Sequence, residues 1–296
     1  MKKIIVVIFV IALAFIGWYF FIKPADFTAT IKAKTSIGSI NQTIKVWNES
    51  LPDNLPIITN GLNELTQIRT FGDSTHIYKW KLETLNDSVT QINLGITDKE
   101  HSFSNRLQMP FKNTFFEKRS TEVTQEFYEV IDQHLDVTNV TIDGEATIDS
   151  TFYIYTKVRS SQRHKAFGMM RDITYLNNAV ARFNIELNGQ PFIEITEWDE
   201  KNDSLTYNFG FPIIKKDSLP QWKELYYGYR PQQKALKATY NGNYITSDRA
   251  WYALIDYAER EKINIEKRPV EVFFNNPNMG YDEAKWRADI YLPLRE

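Results

Sequence analysis

Apolar positions recur along this 296-residue chain with three different rhythms. From Ile4 to Ile22 there is no rhythm at all: 19 uncharged, mostly aliphatic and aromatic positions follow one another. At a rise of about 1.5 Å per residue they just cover a hydrocarbon core of about 30 Å, so a membrane span is predicted. Lys2 and Lys3 precede it, Lys23 follows, and Trp18, Tyr19, Phe20 and Phe21 sit at its far end like an interfacial belt, which orients the N-terminus inside and the remainder outside. A cleaved signal peptide is the rival reading. Trp18 to Lys23 offers no small-x-small cleavage site, which favours an uncleaved anchor. Lys23-Pro24 ends the helix.

From Phe27 to Met109 the rhythm is two. Phe27–Ala33, Ile44–Trp47, Leu65–Arg69, Ile77–Leu82 and Val89–Leu94 alternate apolar and polar residues, as half-buried antiparallel strands do. Turns fall at Gly72-Asp73-Ser74 and at Leu85-Asn86-Asp87-Ser88. Ser36 to Trp47 reads either as a hairpin turning at Ile37-Gly38-Ser39 or as a short helical element. Between Ser120 and Leu135 the rhythm becomes helical, with Val123, Phe127, Val130, Ile131 and Leu135 on one face and Thr121 able to cap the start.

Beyond Gly144 the chain repeats itself. Phe183-Asn184-Ile185-Glu186, Pro191 with Ile193-Glu194-Ile195, and Leu205 to Ile213 are answered by Ile263-Asn264-Ile265-Glu266, Pro269 with Glu271-Val272, and Trp286 to Leu294. The first copy predicts a strand at Phe152–Val158, a helix through Ala166, Ile173, Leu176 and Val180, and strands near Phe192–Thr196 and Leu205–Ile213. The second predicts a strand at Ala235–Tyr240, a helix at Ser247–Glu261, and strands at Val270–Phe274 and Arg287–Leu292. Residues 136–150 connect as a strand and turn. Aligning Pro212 with Pro293 sets Asn208 opposite Asp289, an amide and a carboxylate expected to meet near a pseudo-twofold axis.

Composition adds exclusions. A net charge of −2 without basic clusters predicts no nucleic-acid partner. The absence of cysteine removes disulfides and thiolate sites, and His76, His101, His134 and His164 lack metal-ligand spacing, so neither metal nor cofactor is expected.

Two resemblances follow. A sheet meander closed by a helix over residues 25–136 resembles the START-like (SRPBCC) superfamily, although its usual short helices after the first strand are not clearly encoded. Tyr240-Asn-Gly-Asn-Tyr244, Pro269-Val-Glu-Val-Phe273 and Trp286-Arg-Ala-Asp-Ile-Tyr-Leu-Pro293 resemble the gyrase-inhibitor-like (GyrI-like) effector-binding domain. That resemblance implies two strand-helix-strand-strand modules around an aromatic-lined ligand groove, with Asp289 at the position of the last strand's acidic residue. Asp289 stands where a glutamate is usual, and Asn243 where a proline is usual. The expected fold class is therefore α+β: a transmembrane anchor (residues 1–23), a START-like antiparallel sheet with a C-terminal helix (24–145), and a duplicated effector-binding domain (146–296).

Strand parity and the resemblance together nominate Asp289, Asn208, Tyr291, Tyr244, Glu271 and Phe273 as ligand-binding residues. Glu271 and Phe273 are expected on the face away from the helices, and Gly210 is expected to leave open space beside Asn208. Asp289 could instead be paired with Arg287 or Lys234. The expected function is small-molecule binding, of a cationic or aromatic ligand, by a membrane-anchored protein. Hydrolysis of reactive cyclic compounds with Asp289 as base and Tyr291 nearby is one alternative, and a non-catalytic envelope interaction protein is another.

Overall fold

The computed structural model describes residues 2–52, 54–86, 89–200, 202–280 and 282–295. It is a mixed α+β protein with an N-terminal apolar helix and two antiparallel sheets, divided into compact units Met1–Asp132 and Gln133–Glu296.

In the first unit, helix α1 (Lys2–Gly17) runs on as a π-helical turn, Trp18–Ile22. Lys3–Ile22 is long and apolar enough to cross a membrane, and none of it is buried. Strand β1 (Phe27–Ala33) leads to helix α2 (Ile37–Ser50), then to β2 (Ile58–Asn60), β3 (Glu64–Phe71), β4 (Ser74–Asn86) and β5 (Val89–Asp98), ordered β1-β5-β4-β3-β2. Helices α3 (Ser102–Gln108) and α4 (Phe115–Val137) follow.

Residues Ile44–Trp47, expected as a strand, lie inside α2, so Ser36 to Trp47 is helical and no hairpin forms there. Ser36 caps the helix by accepting from the Ser39 amide at 3.3 Å. Ile40, Ile44 and Trp47, spaced four and three apart, are all buried. Trp47 packs on Trp80 of β4 and Phe127 of α4 at ring distances of 6.1 and 5.3 Å, and it is this burial that overrides the local alternation. The turn at Gly72-Asp73 is present, whereas the one at Asp87-Ser88 lies outside the described residues.

In the second unit the order is β6 (Asn139–Ile148), β7 (Thr151–Ser161), α5 (Lys165–Arg182), β8 (Phe192–Asp199), β9 (Ser204–Pro212), β10 (Tyr226–Arg230), β11 (Gln233–Asn241), α6 (Arg249–Glu261), β12 (Val270–Phe273) and β13 (Arg287–Pro293). Strand β6 crosses the expected boundary at 145/146 and belongs wholly to this sheet. The eight strands are arranged β10-β7-β9-β8-β12-β13-β11-β6. That order is a palindrome of the repeat, with β7 matching β11, β9 matching β13 and β8 matching β12. Ile193, Leu205, Tyr207, Phe209, Ala288, Ile290 and Leu292 are buried on the side of α5 and α6. The other face carries a second apolar cluster of Ile148, Tyr153, Phe192, Ala235 and Val270.

Candidate functional site

The six nominated residues separate onto the two faces of this sheet. On the helix-free face, cross-strand registers build two rows. One runs Asn208, Glu194, Val270, Tyr291, Lys237, and the other Gly210, Phe192, Val272, Asp289, Thr239. Asn208 and Asp289 therefore occupy different rows, and β8 and β12 stand between their strands. Three strand spacings amount to about 14 Å, so the amide and the carboxylate do not meet at the axis.

Asp289 is 5% exposed and already satisfied. Arg287 donates to it from Nε and Nη2 at 2.9 and 3.0 Å, and Lys237 Nζ lies 3.0 Å from Oδ2. Its partners are thus Arg287, one of the two foreseen, and Lys237 in place of Lys234. Burial pulls the Lys237 ammonium down, but the hydrogen bond and charge of Asp289 outweigh it and its pKa is raised. Asp143, in a bulge of β6, adds a third acceptor to this cluster at 3.3 Å from Lys237. Both Asp289 oxygens are engaged by cations.

Glu271 and Phe273 face the helices, opposite to expectation. They pair with Ile290 and Ala288, both on the helix side of β13. The cause is a distant cation: Lys165, at the start of α5, donates to both Glu271 oxygens at 2.8 Å, and Ser247 Oγ lies 2.6 Å from each partner. Lys165, Glu271 and Ser247 are all fully buried. Burial pushes the Glu271 carboxyl up while Lys165 and Ser247 pull it down, with burial the larger effect. The Tyr244 and Phe273 rings meet at 4.8 Å, tilted by 55°, beside a cleft of about 370 Å³ on the helix side, lined also by Met169, Met170, Ile173 and Phe209. The Tyr244 hydroxyl donates to the Arg287 carbonyl at 2.8 Å and accepts from the Asn275 amide at 3.0 Å, so it is a structural clasp.

Two clefts open on the helix-free face. The first, about 430 Å³, gathers Tyr153, Glu194, Thr196, Asn208, Tyr229 and Arg230 from four strands. Tyr153 donates to Glu194 Oε2 at 3.0 Å, and burial, then the Glu194 charge, raise its pKa well above the ordinary tyrosine value. Gly228 makes this placement possible: a Cβ there would lie 2.6 Å from the Tyr153 ring. Gly210, expected to leave space, is instead pressed against β7, where a Cβ would meet the Ile154 carbonyl and lie 2.8 Å from Tyr155 Cβ. The second cleft, about 620 Å³, is lined by Phe152, Phe192, Val272, Tyr291, Lys215 and Arg230, among others. Arg230 borders both. Its guanidinium lies 4.8 Å from the centre of the Phe192 ring, and burial lowers its pKa.

Tyr153, Glu194 and Arg230 were absent from the sequence-based set. Glu194 carried a signal, since it sits in the first repeat's Ile-Glu-Ile motif, whereas nothing in the sequence marked Arg230. Among the described residues no group of three or more His, Asp or Glu could hold a metal ion.

No protein-family model matches the chain, and no curated protein matches it. Among solved structures, the C-terminal domain of EcmrR is similar over 54% of this chain and 98% of its own, at 15% identity and a TM-score of 0.45. SAV2435, solved bound to tetraphenylphosphonium, is similar over 52% of this chain and 94% of its own, at 12% identity and a TM-score of 0.40. A hydrolase from Listeria innocua is similar over 51% and 92%, at 10% identity and a TM-score of 0.34.

Proposed function

We propose that this is a membrane-anchored small-molecule-binding protein that holds its ligand on the helix-free face of the second unit. The observation that carries the reading is the convergence of Tyr153, Glu194, Asn208 and Arg230 on open clefts over an apolar floor. A few directed polar groups in a concave, largely apolar setting are what ligand sites consist of. The nominated residues take new roles in it. Asn208 and Tyr291 border the clefts, Asp289 fixes the rim with Lys237 and Arg287, and Tyr244, Phe273 and Glu271 build the helix side. The second unit is read as a gyrase-inhibitor-like effector-binding domain and the first as a START-like domain, its sheet packed on α4.

Retention of the apolar helix is supported by how its end is held. Arg106 donates to the carbonyls of Tyr19, Phe20 and Lys23 at 2.8, 3.2 and 2.8 Å, and its Nε lies 2.5 Å from Asp26. Tyr19 donates back to the Arg106 carbonyl at 3.0 Å. The last carbonyls of the span are thereby capped by the folded unit, a contact that cleavage would discard. We take the span as an anchor with its N-terminus inside.

Native mass spectrometry of the full chain extracted from membranes tests the reading, with Val272→Trp as the comparison because the larger ring fills the second cleft. A small-molecule adduct on the wild type that is lost from the variant is expected. An adduct that persists in Val272→Trp, or none on either protein, would refute it.

A further inference from the structure

Arg230 ends β10, and the adjoining Pro231 cannot continue the ladder as a donor. Its side chain turns in over the centre of the helix-free face and is only 6% exposed. Arginine remains charged in proteins even when buried, so it cannot escape the cost of burial by losing its proton. Yet Nε and Nη1 have no hydrogen-bond partner among the described residues. The nearby acid is Glu194, which makes no hydrogen bond to Arg230 among the described residues; its Oε2 accepts from Tyr153, while its charge opposes the effect of burial on Arg230. The Arg230 guanidinium carbon lies 4.8 Å from the centre of the Phe192 ring, a cation–π contact, and Arg230 lines the second cleft. A buried N–H without an acceptor costs about 1–3 kcal/mol, more for a charged group.

The second cleft gives the rest of the ligand. Phe192, Val272, Tyr291 and Phe152 give it an apolar wall beside polar residues such as Thr151, Asn188 and Gln190, and its charged members are Arg230 and Lys215 against the single acid Asp149. Within this cleft one positive charge is left over, with Glu194 in the adjoining cleft that Arg230 also borders. We propose that Arg230 anchors the carboxylate of a small organic acid whose apolar body lies on Phe192, Val272 and Tyr291. A carboxylate matches the planar guanidinium fork with two parallel hydrogen bonds. This assignment rests on the groove reading above and reverses the sign of the ligand that Asp289 alone suggested from the sequence.

Three probes with one aromatic body separate the possibilities: 4-phenylbutyrate, 4-phenylbutan-1-ol and 4-phenylbutylamine, titrated calorimetrically into the full chain in detergent. 4-Phenylbutyrate should bind at least tenfold more tightly than the alcohol, with the amine weakest. Arg230→Met should remove that preference and at the same time raise the melting temperature, because a buried unpartnered cation is exchanged for an apolar chain of similar length. Equal affinity for acid and alcohol, or preference for the amine, overturns the carboxylate assignment while leaving the groove intact. Binding of none of the three overturns both. A lowered melting temperature in Arg230→Met would make the residue structural and also overturn the proposal.

Discussion

Ile193 and Glu271 are cross-strand partners in the central strand pair and also counterparts in the repeat, each standing two residues after its proline. A residue can pair with its own counterpart only where a pseudo-twofold axis passes, so the axis runs through this pair. The duplication is most asymmetric here, an isoleucine answering a glutamate on the helix side. One step along, Glu194 answers Val272 on the helix-free side.

The asymmetry on the helix side makes Lys165 indispensable. Lys165→Met leaves the Glu271 carboxylate buried without its cation and should cost about 3–5 kcal/mol in urea unfolding, whereas Lys165→Met/Glu271→Leu should return close to wild-type stability. A double variant as unstable as the single would show that the pair is not the unit of stabilisation.

Gly210 lets β7 and β9 approach beneath Tyr155. Gly210→Ala sets a Cβ against backbone that cannot yield, and a loss of about 3 kcal/mol or more is expected, read as a lowered melting temperature. A tolerated alanine would mean that the strands separate easily.

Asp289 as a ligand-binding carboxylate with no protein partner would be replaceable at little cost in stability. With Arg287 and Lys237 both bound to this carboxylate, Asp289→Asn should instead cost about 1–3 kcal/mol, since Lys237 is left with Asp143 alone. Denaturation midpoints of the two proteins decide between these outcomes.

Most elements of the second unit were legible because strand alternation and helical spacing agree with burial there. The exceptions share a cause. Parity on β12 failed because Glu271 turns inward to a lysine 106 residues upstream, and no local pattern reports a partner at that separation. Strand β10 has the sequence Tyr-Tyr-Gly-Tyr-Arg, without alternation, and Arg230 was missed with it. Even the visible Asn-Ile-Glu repeat is out of structural register. The left-handed residues that end the two helices are Asn184 and Lys262, so Asn184 corresponds to Lys262 and not to Asn264.

His134 gives the second unit a dependence on pH. Burial, helped by the charge of Arg249 and opposed by Asp248, holds its pKa down at about 4, against about 6.5 when unfolded. Between those values the unfolded chain takes up a proton that the folded one refuses, so stability falls as pH drops through that window and is unaffected above it. Comparing urea unfolding at pH 7.5 and 5.0, wild type should lose more than His134→Gln. Equal losses would assign the effect to another group.

The central claim, that the ligand lies on the helix-free face, is tested most directly by photo-crosslinking. A diazirine-bearing phenylbutyrate irradiated on the full chain, followed by peptide mapping, should label Phe192, Val272 or Tyr291, and free 4-phenylbutyrate should suppress the labelling. Labelling of Met169, Met170 or Phe273, across the sheet on the helix side, would contradict it.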